Sequence, residues 1–335
     1  MNRNPIEIFD TTLRDGTQGE GVTLSVKDKV RIAIRLDEFG MDFIEGGWPG
    51  SNPKDESFFK EIRKEKLHHS RICAFGSTAR FPDKVLSDAN LNLMLAAETS
   101  VVSIFGKAWK LHSELGLELD ASENETLIYE SIQYLKSEGR HVIFDAEHFF
   151  DGYKDDPEFA LQMVKAAGKA EADTIVLCDT NGGSLPSEIS DIVHVVKKKI
   201  SAPLGVHAHN DSELAVSNTI AAVEAGVSHV QGTINGVGER CGNANLISII
   251  PNMILKLGLK TVQKIDLTQL SSISHFVSEV MNFASDQRAA YVGRSAFAHK
   301  GGIHVSAVLK NSTMYEHIEP EIVGAQRRGL VSDLS

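Results

Sequence analysis

The sequence predicts an α/β protein, a (β/α)8 TIM barrel with a C-terminal helical and extended tail. Three observations predict it. Eight short apolar or β-branched runs alternate with longer segments of helical period. Eight is the number of parallel strands that closes into a barrel with a filled interior. No glycine-rich phosphate loop follows an early strand, as an open doubly wound sheet would require.

The runs expected as strands are 6–10, 42–46, 71–75, 101–105, 141–145, 174–178, 204–207 and 229–233. Between them the helices announce their ends. Ser25 with Asp28 forms a capping pattern ahead of a stripe of Val26, Val30, Ala33 and Ile34. Asp156-Pro157 starts another helix, with Gly168 as its expected stop. Pro186 opens a third whose Ile189, Ile192, Val193 and Val196 face the sheet, with Lys197, Lys198 and Lys199 at the end where a helix dipole favours cations. Gly226 closes the helix after the seventh strand, and a last barrel helix is expected near 243–257. The expected division is a catalytic barrel over 1–260 and a tail over 261–335. In the tail a helix is expected over 267–283, followed by GRSAFAHKGGIHVSAV, a polar, glycine-marked stretch suited to a lid or an arm that contacts a partner.

With 42% hydrophobic and 24% charged residues in 335, the chain has the composition of a globular protein with a large core. A formal net charge of −11 argues against nucleic acid or an anionic membrane as the main partner. No run approaches the roughly 18 apolar residues of a membrane span, and MNRNPIEIFD lacks a signal peptide's apolar core, so a cytoplasmic protein is expected. Cys73, Cys178 and Cys241 are expected as reduced, buried thiols, since their number is odd and their spacing suits neither a disulfide framework nor a thiolate zinc site.

In such a barrel, functional groups project from the C-terminal ends of the strands. Here those ends are unusually polar: TTLRDG after the first strand, Glu45 in the second, DAEH at the fifth, CDTNGG at the sixth, HAHND at the seventh and NGVGERCGN after the eighth. Side chains two apart on a strand share a face, so His207 and His209 can meet at one centre, and Asp15 across the mouth would add a carboxylate. Two imidazoles and a carboxylate with positions left open suit a catalytic metal, with Asn243 as a neutral fourth oxygen. Each feature also has a plainer explanation. An HxH pair alone is more often incidental; Arg14 beside Asp15 is also the pattern of a surface ion pair; Asp10 and Asp179 suit buried carboxylates bonded within the barrel; a tight turn accounts for Gly236-Val237-Gly238 as well as a phosphate loop does. Phe75, Ile104 and Phe105 either crowd a pocket or simply fill the barrel.

At these residues the sequence resembles a known family of barrel metallo-enzymes. Asp10-Thr11-Thr12-Leu13-Arg14-Asp15-Gly16-Thr17-Gln18 matches its signature DTTLRDGxQ, and GVHAHND leading to GTINGVGERCGNAN matches its second. The family comprises isopropylmalate, homocitrate and citramalate synthases and, more distantly, hydroxymethylglutaryl-CoA lyase; EGGWPGSNPKD and DAEHFFDGYK most resemble one citramalate-forming branch. The resemblance covers essentially the whole chain. It implies that Asp15, His207 and His209 hold a divalent metal (Zn, Mn or Mg) with Asn243 beside it, and that Arg14 stabilises the alkoxide that forms. By the same resemblance Thr180 would grip the substrate carboxylate; from their places at strand ends, Phe75 and Phe105 are the candidates to line the substrate pocket and Glu147 is the first candidate for the base. His304 and Tyr315 from the tail would reach a partner subunit's site in a homodimer. The expected reaction is condensation of acetyl-CoA with a small 2-oxo acid, pyruvate giving citramalate and CoA. The alternatives are a larger 2-oxo acid, as in isopropylmalate or homocitrate synthesis, or a lyase running the carbon–carbon chemistry backwards. Relatives of the branch usually continue into a further domain that binds an end-product amino acid.

Overall fold

The structure is a computed structural model and describes residues 4–329. Eight strands close into one parallel barrel in sequence order: β1 (Glu7–Asp10), β2 (Phe43–Gly47), β3 (Arg71–Ser77), β4 (Val101–Lys107), β5 (His141–Glu147), β6 (Thr174–Asp179), β7 (Leu204–Ala208) and β8 (His229–Gly232), with β1 paired to both β2 and β8. Each coincides with an expected run to within two residues at either end. Along the strands, alternate side chains point inward and stack in layers. Phe9, Phe43, Cys73, Val101, Ile143, Val176 and Cys178 form an apolar waist inside the barrel. Above it the same alternation brings Glu45, Ser103, Asp145, His207 and Gln231 inward, all buried, so the polar mouth rests on a dry floor. Truncating a waist phenylalanine to alanine would cost about 3–5 kcal/mol.

The barrel helices follow their signals with two corrections. Ser25 and Asp28 form the reciprocal capping box of the helix Val26–Phe39, but its buried face is Lys29, Ile32, Ala33 and Leu36, while Val26, Val30 and Ile34 are half-buried. The period was legible and the face is turned by about one residue, because Lys29 is buried in an ion pair with Asp55. Asp156 caps the helix Pro157–Lys169, which runs through Gly168 and ends at Ala170, so that glycine is not its stop. Cys241 is exposed, unlike buried Cys73 and Cys178, and all three thiols are free. Pro186–Lys197 buries Ile189, Ile192, Val193 and Val196 as expected, and Gly226 caps Ala215–Ala225 with a φ of 108°. The last barrel helix runs Leu246–Pro251 and continues as a π-helical turn, Asn252–Lys256.

In the tail, a 3-10 turn Leu267–Gln269 leads into the helix Leu270–Val280, shorter than the expected 267–283. This helix lies against Val26–Phe39, and Ser274 accepts from Asn235 beside the mouth. The glycine-marked stretch is not wholly extended: Gly302–Lys310 is helical, preceded by β9 (Ala298–His299), which pairs in parallel with β10 (Arg328–Gly329). Among the described residues no helix is long and apolar enough to cross a membrane.

Candidate active site

The loop after β1 is folded by its own first residue. Asp10 is fully buried and accepts from Thr12 through both its backbone N–H (2.9 Å) and hydroxyl (2.8 Å), and Thr12 in turn accepts from the N–H of Ile234 after β8 (2.9 Å). Burial outweighs these bonds and lifts the Asp10 carboxyl to about 7. So Asp10 is structural, as is Asp179, which accepts from Ser184 and Asn218. The tightened loop delivers Asp15, 3% exposed, at the start of the turn Asp15–Gln18, over the barrel mouth.

Asp15 Oδ2 lies 3.6 Å from His207 Nε2 and 3.9 Å from His209 Nε2, and those two nitrogens are 3.2 Å apart. Asn243 donates to Asp15 Oδ1 (2.8 Å), its backbone held by an antiparallel bridge to His209; a Cβ on Gly238 would collide with its side chain. Burial alone would raise the Asp15 carboxyl, but Arg14, both imidazoles and Asn243 outweigh it and hold the group well below the usual carboxylate range. Burial depresses both imidazoles, His207 to about 3 with His209 adding to the effect. Near neutral pH the three side chains therefore offer an ionised oxygen and neutral rings, the forms that bind a metal. The donor atoms lie within 4.8 Å of one another, and His209 Nδ1 and Asn243 Oδ1 are buried without a hydrogen-bond partner. This set fits a divalent cation, since bonds of about 2.1 Å span such separations.

Arg14 is not on a surface. Its Nε donates to Glu45 (2.6 Å), its Nη1 to Asp15 (2.9 Å), and its guanidinium lies 3.8 Å from the centre of the Phe75 ring. Despite burial, the Glu45 and Asp15 carboxylates raise its pKa further, so the charge is permanent. Phe75 stacks on Phe105 at 5.5 Å, and Trp48 meets both edge-on at 5.7 Å, forming a three-ring wall. Trp48 is set by local chemistry: Gly47, at φ 141°, lies against Asp55, which accepts from the Trp48 N–H (2.9 Å), and the indole donates to Asn90 (2.6 Å). Ile104, by contrast, belongs to the outer core.

Next to Phe105, Glu147 at the end of β5 pairs with Lys107, and on β6's side the Thr180 hydroxyl accepts from the His148 N–H (2.9 Å). Asp145 accepts from Ser103 and Gln231; burial, with Glu45 nearby, raises its carboxyl to about 7. Together these groups line a cavity of about 260 Å³ that contains Arg14, Asp15, Phe75, Phe105, Glu147, Thr180, His207 and His209. His304 and Tyr315 lie outside it, exposed, their rings 4.3 Å apart. Sequence reasoning missed Trp48, Gln231, Glu239 and Arg240 as lining residues. Gln231 left a signal, a polar side chain at an inward position of a strand, in register with His229 two residues earlier.

A closed (β/α)8 barrel with a carboxylate and two imidazoles converging at its C-terminal mouth is the class this fold and site define. The HMGL-like family model matches residues 5–277, and the chain belongs to that family; a homocitrate synthase post-HMGL domain-like model matches 291–334. The chain is 54% identical over 333 residues to the (R)-citramalate synthase of Geobacter sulfurreducens, covering 98% of this chain and 62% of that protein. It is 54% identical over 331 residues to the (R)-citramalate synthase of Aquifex aeolicus, covering 98% and 63%. The chain thus spans under two thirds of the length of these relatives. Among solved structures, the HMG-CoA lyase of Bacillus subtilis superimposes with a TM-score of 0.71 at 19% identity, over 84% of this chain and 96% of that one, a likeness of fold.

Proposed function

We propose that the chain condenses acetyl-CoA with pyruvate and water to give citramalate and CoA. The observation that carries this reading is the convergence of Asp15, His207 and His209 beside the Arg14 guanidinium in one cavity at the barrel mouth. The 54% identity to citramalate synthases supports pyruvate as the acceptor, and so does the aromatic wall, which limits the room for a larger 2-oxo acid. A divalent metal held by Asp15, His207 and His209, with Asn243 adjacent, would supply Lewis-acid polarisation of the 2-oxo group.

The remaining steps belong to the chain's own residues. Arg14, fixed through Nε and Nη1, leaves Nη2 without a hydrogen bond to any described residue, and it turns a permanent charge toward the oxygen on which negative charge develops. Thr180 accepts from a backbone N–H, so its own hydroxyl proton is free to donate to the substrate carboxylate. Glu147, oriented by Lys107, is the acceptor of the acetyl methyl proton; the resulting carbanion attacks the 2-oxo carbon, and water then cleaves the thioester, releasing the CoA thiol. Residues 1–260 form the catalytic unit in this reading. The tail over 261–335 crosses to a second copy, where His304 and Tyr315 complete the partner's site in a two-fold homodimer. The exposed side chains of Ile303 (81%) and Leu309 (80%) beside them support such a covering surface.

Thiol release from acetyl-CoA, measured with pyruvate, 2-oxobutyrate, 2-oxoisovalerate and 2-oxoglutarate, with and without chelator, tests the proposal. Pyruvate-dependent, chelator-sensitive release is expected. Fastest turnover with 2-oxoisovalerate overturns the choice of acceptor, and release that ignores every 2-oxo acid overturns the condensation.

A further inference from the structure

One polar file at the barrel mouth ends on His207, and its other three members have no part in the steps above. Ser103 on β4, Asp145 on β5, Gln231 on β8 and His207 on β7 are 0%, 5%, 1% and 5% exposed. Ser103 Oγ donates to Asp145 Oδ2 (2.7 Å), Gln231 Nε2 donates to Asp145 Oδ1 (3.0 Å), and Gln231 Oε1 lies 3.0 Å from His207 Nδ1. The direction of this file follows from what each group is able to do. Above pH 7, where the Asp145 carboxyl is ionised, it only accepts, so the amide must turn its NH2 to Asp145 and its oxygen to His207. An amide oxygen also only accepts, so the imidazole nitrogen facing it must carry the proton. The alternative sets two buried acceptors against each other and loses a bond.

We infer that Asp145 and Gln231 are positioning residues that hold His207 protonated at Nδ1, so that Nε2 turns its lone pair toward Asp15 and His209, where a divalent cation binds. The inference rests on the metal reading above. It also separates the two histidines: His209 Nδ1 has no partner among the described residues, and its Nε2 faces only His207 Nε2 (3.2 Å) and Asp15 (3.9 Å), so no amide or carboxylate stands behind its ring as Gln231 stands behind that of His207. A carboxylate that acts on a ligand histidine is a recurring device at metal centres; here the carboxylate acts through an interposed amide.

The test has two readouts that need no turnover. In metal-free protein labelled with ¹⁵N-histidine and held well above pH 7, where Asp145 is ionised, long-range ¹H–¹⁵N correlation, assigned against His207→Asn, should report His207 in the Nδ1–H form. Gln231→Met should bring in the other tautomer and weaken cobalt(II) binding, read by its visible absorption, roughly 10–100-fold. Gln231→Glu, which keeps an acceptor at the ring, should restore the tautomer. Asp145→Asn, which removes the obligatory acceptor, should give a mixture. An Nε2–H form of His207 in the unsubstituted protein overturns the inference, and that measurement stands even where a variant fails to fold. Folded Gln231→Met that binds cobalt(II) as tightly as the parent overturns the inference alone. An unsubstituted protein in the Nδ1–H form that takes up no cobalt(II) overturns the metal reading and this inference with it.

Discussion

The barrel mouth and the tail hold the two groups of residues named for chemistry, and they are built in opposite ways. At the mouth the candidate side chains are buried or part-buried and tied to one another: Arg14 to Glu45 and Asp15, Asp15 to Asn243, His207 to Gln231. In the tail, His304 and Tyr315 touch each other and face solvent, beside Ile303 at 81% and Met314 at 60% exposure. A ligand cluster in a barrel completes itself, because strands from one chain close around it. The tail helix Gly302–Lys310 instead leaves apolar side chains exposed, with His304 on it and Tyr315 just beyond its end, a surface suited to cover by another copy. The difference predicts that damage at the mouth is local to one chain, whereas damage in the tail is repairable by another copy.

The largest effect should come from the mouth. His207→Ala or Asp15→Ala removes a donor from a set of three, and with it several kcal/mol of stabilisation of the developing charge, about 10³-fold or more in turnover. Cobalt(II) absorption should be lost in parallel. A variant that keeps both metal and activity would break the comparison at its stronger end.

His304→Ala should lower turnover about 10²-fold while leaving cobalt(II) binding unchanged. Arg14→Ala should be inactive by itself. If the tail serves a partner's mouth, mixing and refolding these two variants should return about a quarter of the parental activity, because half the dimers pair unlike chains and each then holds one intact site. No recovery on mixing, with both variants folded and dimeric, means that the tail acts on its own barrel.

How far the sequence foretold these two regions follows from the same contrast. The barrel was legible because a buried parallel strand is a short apolar run that helical periods separate, and all eight runs lie on strands. The cluster was legible because a spacing of two on β7 fixes a shared face. What remained hidden depends on pairing across the fold. The buried face of Val26–Phe39 turns on Lys29 meeting Asp55, which lies 26 residues away. Trp48 reads as a turn residue until Gly47 and Asn90 aim its ring at the wall. Gln231 gains a role only beside Asp145, 86 residues earlier. In the tail, the glycine-marked stretch reads only as a lid or an arm, and the helix Gly302–Lys310 within it depends on burying Ala307 and Val308.

A smaller effect sharpens the mouth's side of the comparison. Trp48→Ala removes one of three rings and leaves Phe75 and Phe105 stacked on each other. The ratio of kcat/KM for 2-oxobutyrate over pyruvate should then rise about 10-fold or more, within the 1–3 kcal/mol that a methylene is worth in an apolar pocket. An unchanged ratio would remove the indole from the determinants of acceptor size.

The smallest effect lies far from either region and should leave turnover alone. Asp37, 2% exposed in Val26–Phe39, accepts the backbone N–H groups of His68, His69 and Ser70 at 2.9, 2.8 and 2.7 Å, fixing the turn that feeds β3. Burial alone would raise this carboxyl, yet the three N–H groups outweigh it and hold the pKa below its ordinary value. A depressed folded-state pKa contributes stability that is present above the unfolded value of about 3.9 and is lost as the pH falls through the folded one. Asp37→Asn should therefore lower stability at pH 7 by about 1–3 kcal/mol and flatten the acid side of the curve of melting temperature against pH. Equal acid limbs for the parent and the variant would show that the turn is held by its backbone and not by this charge.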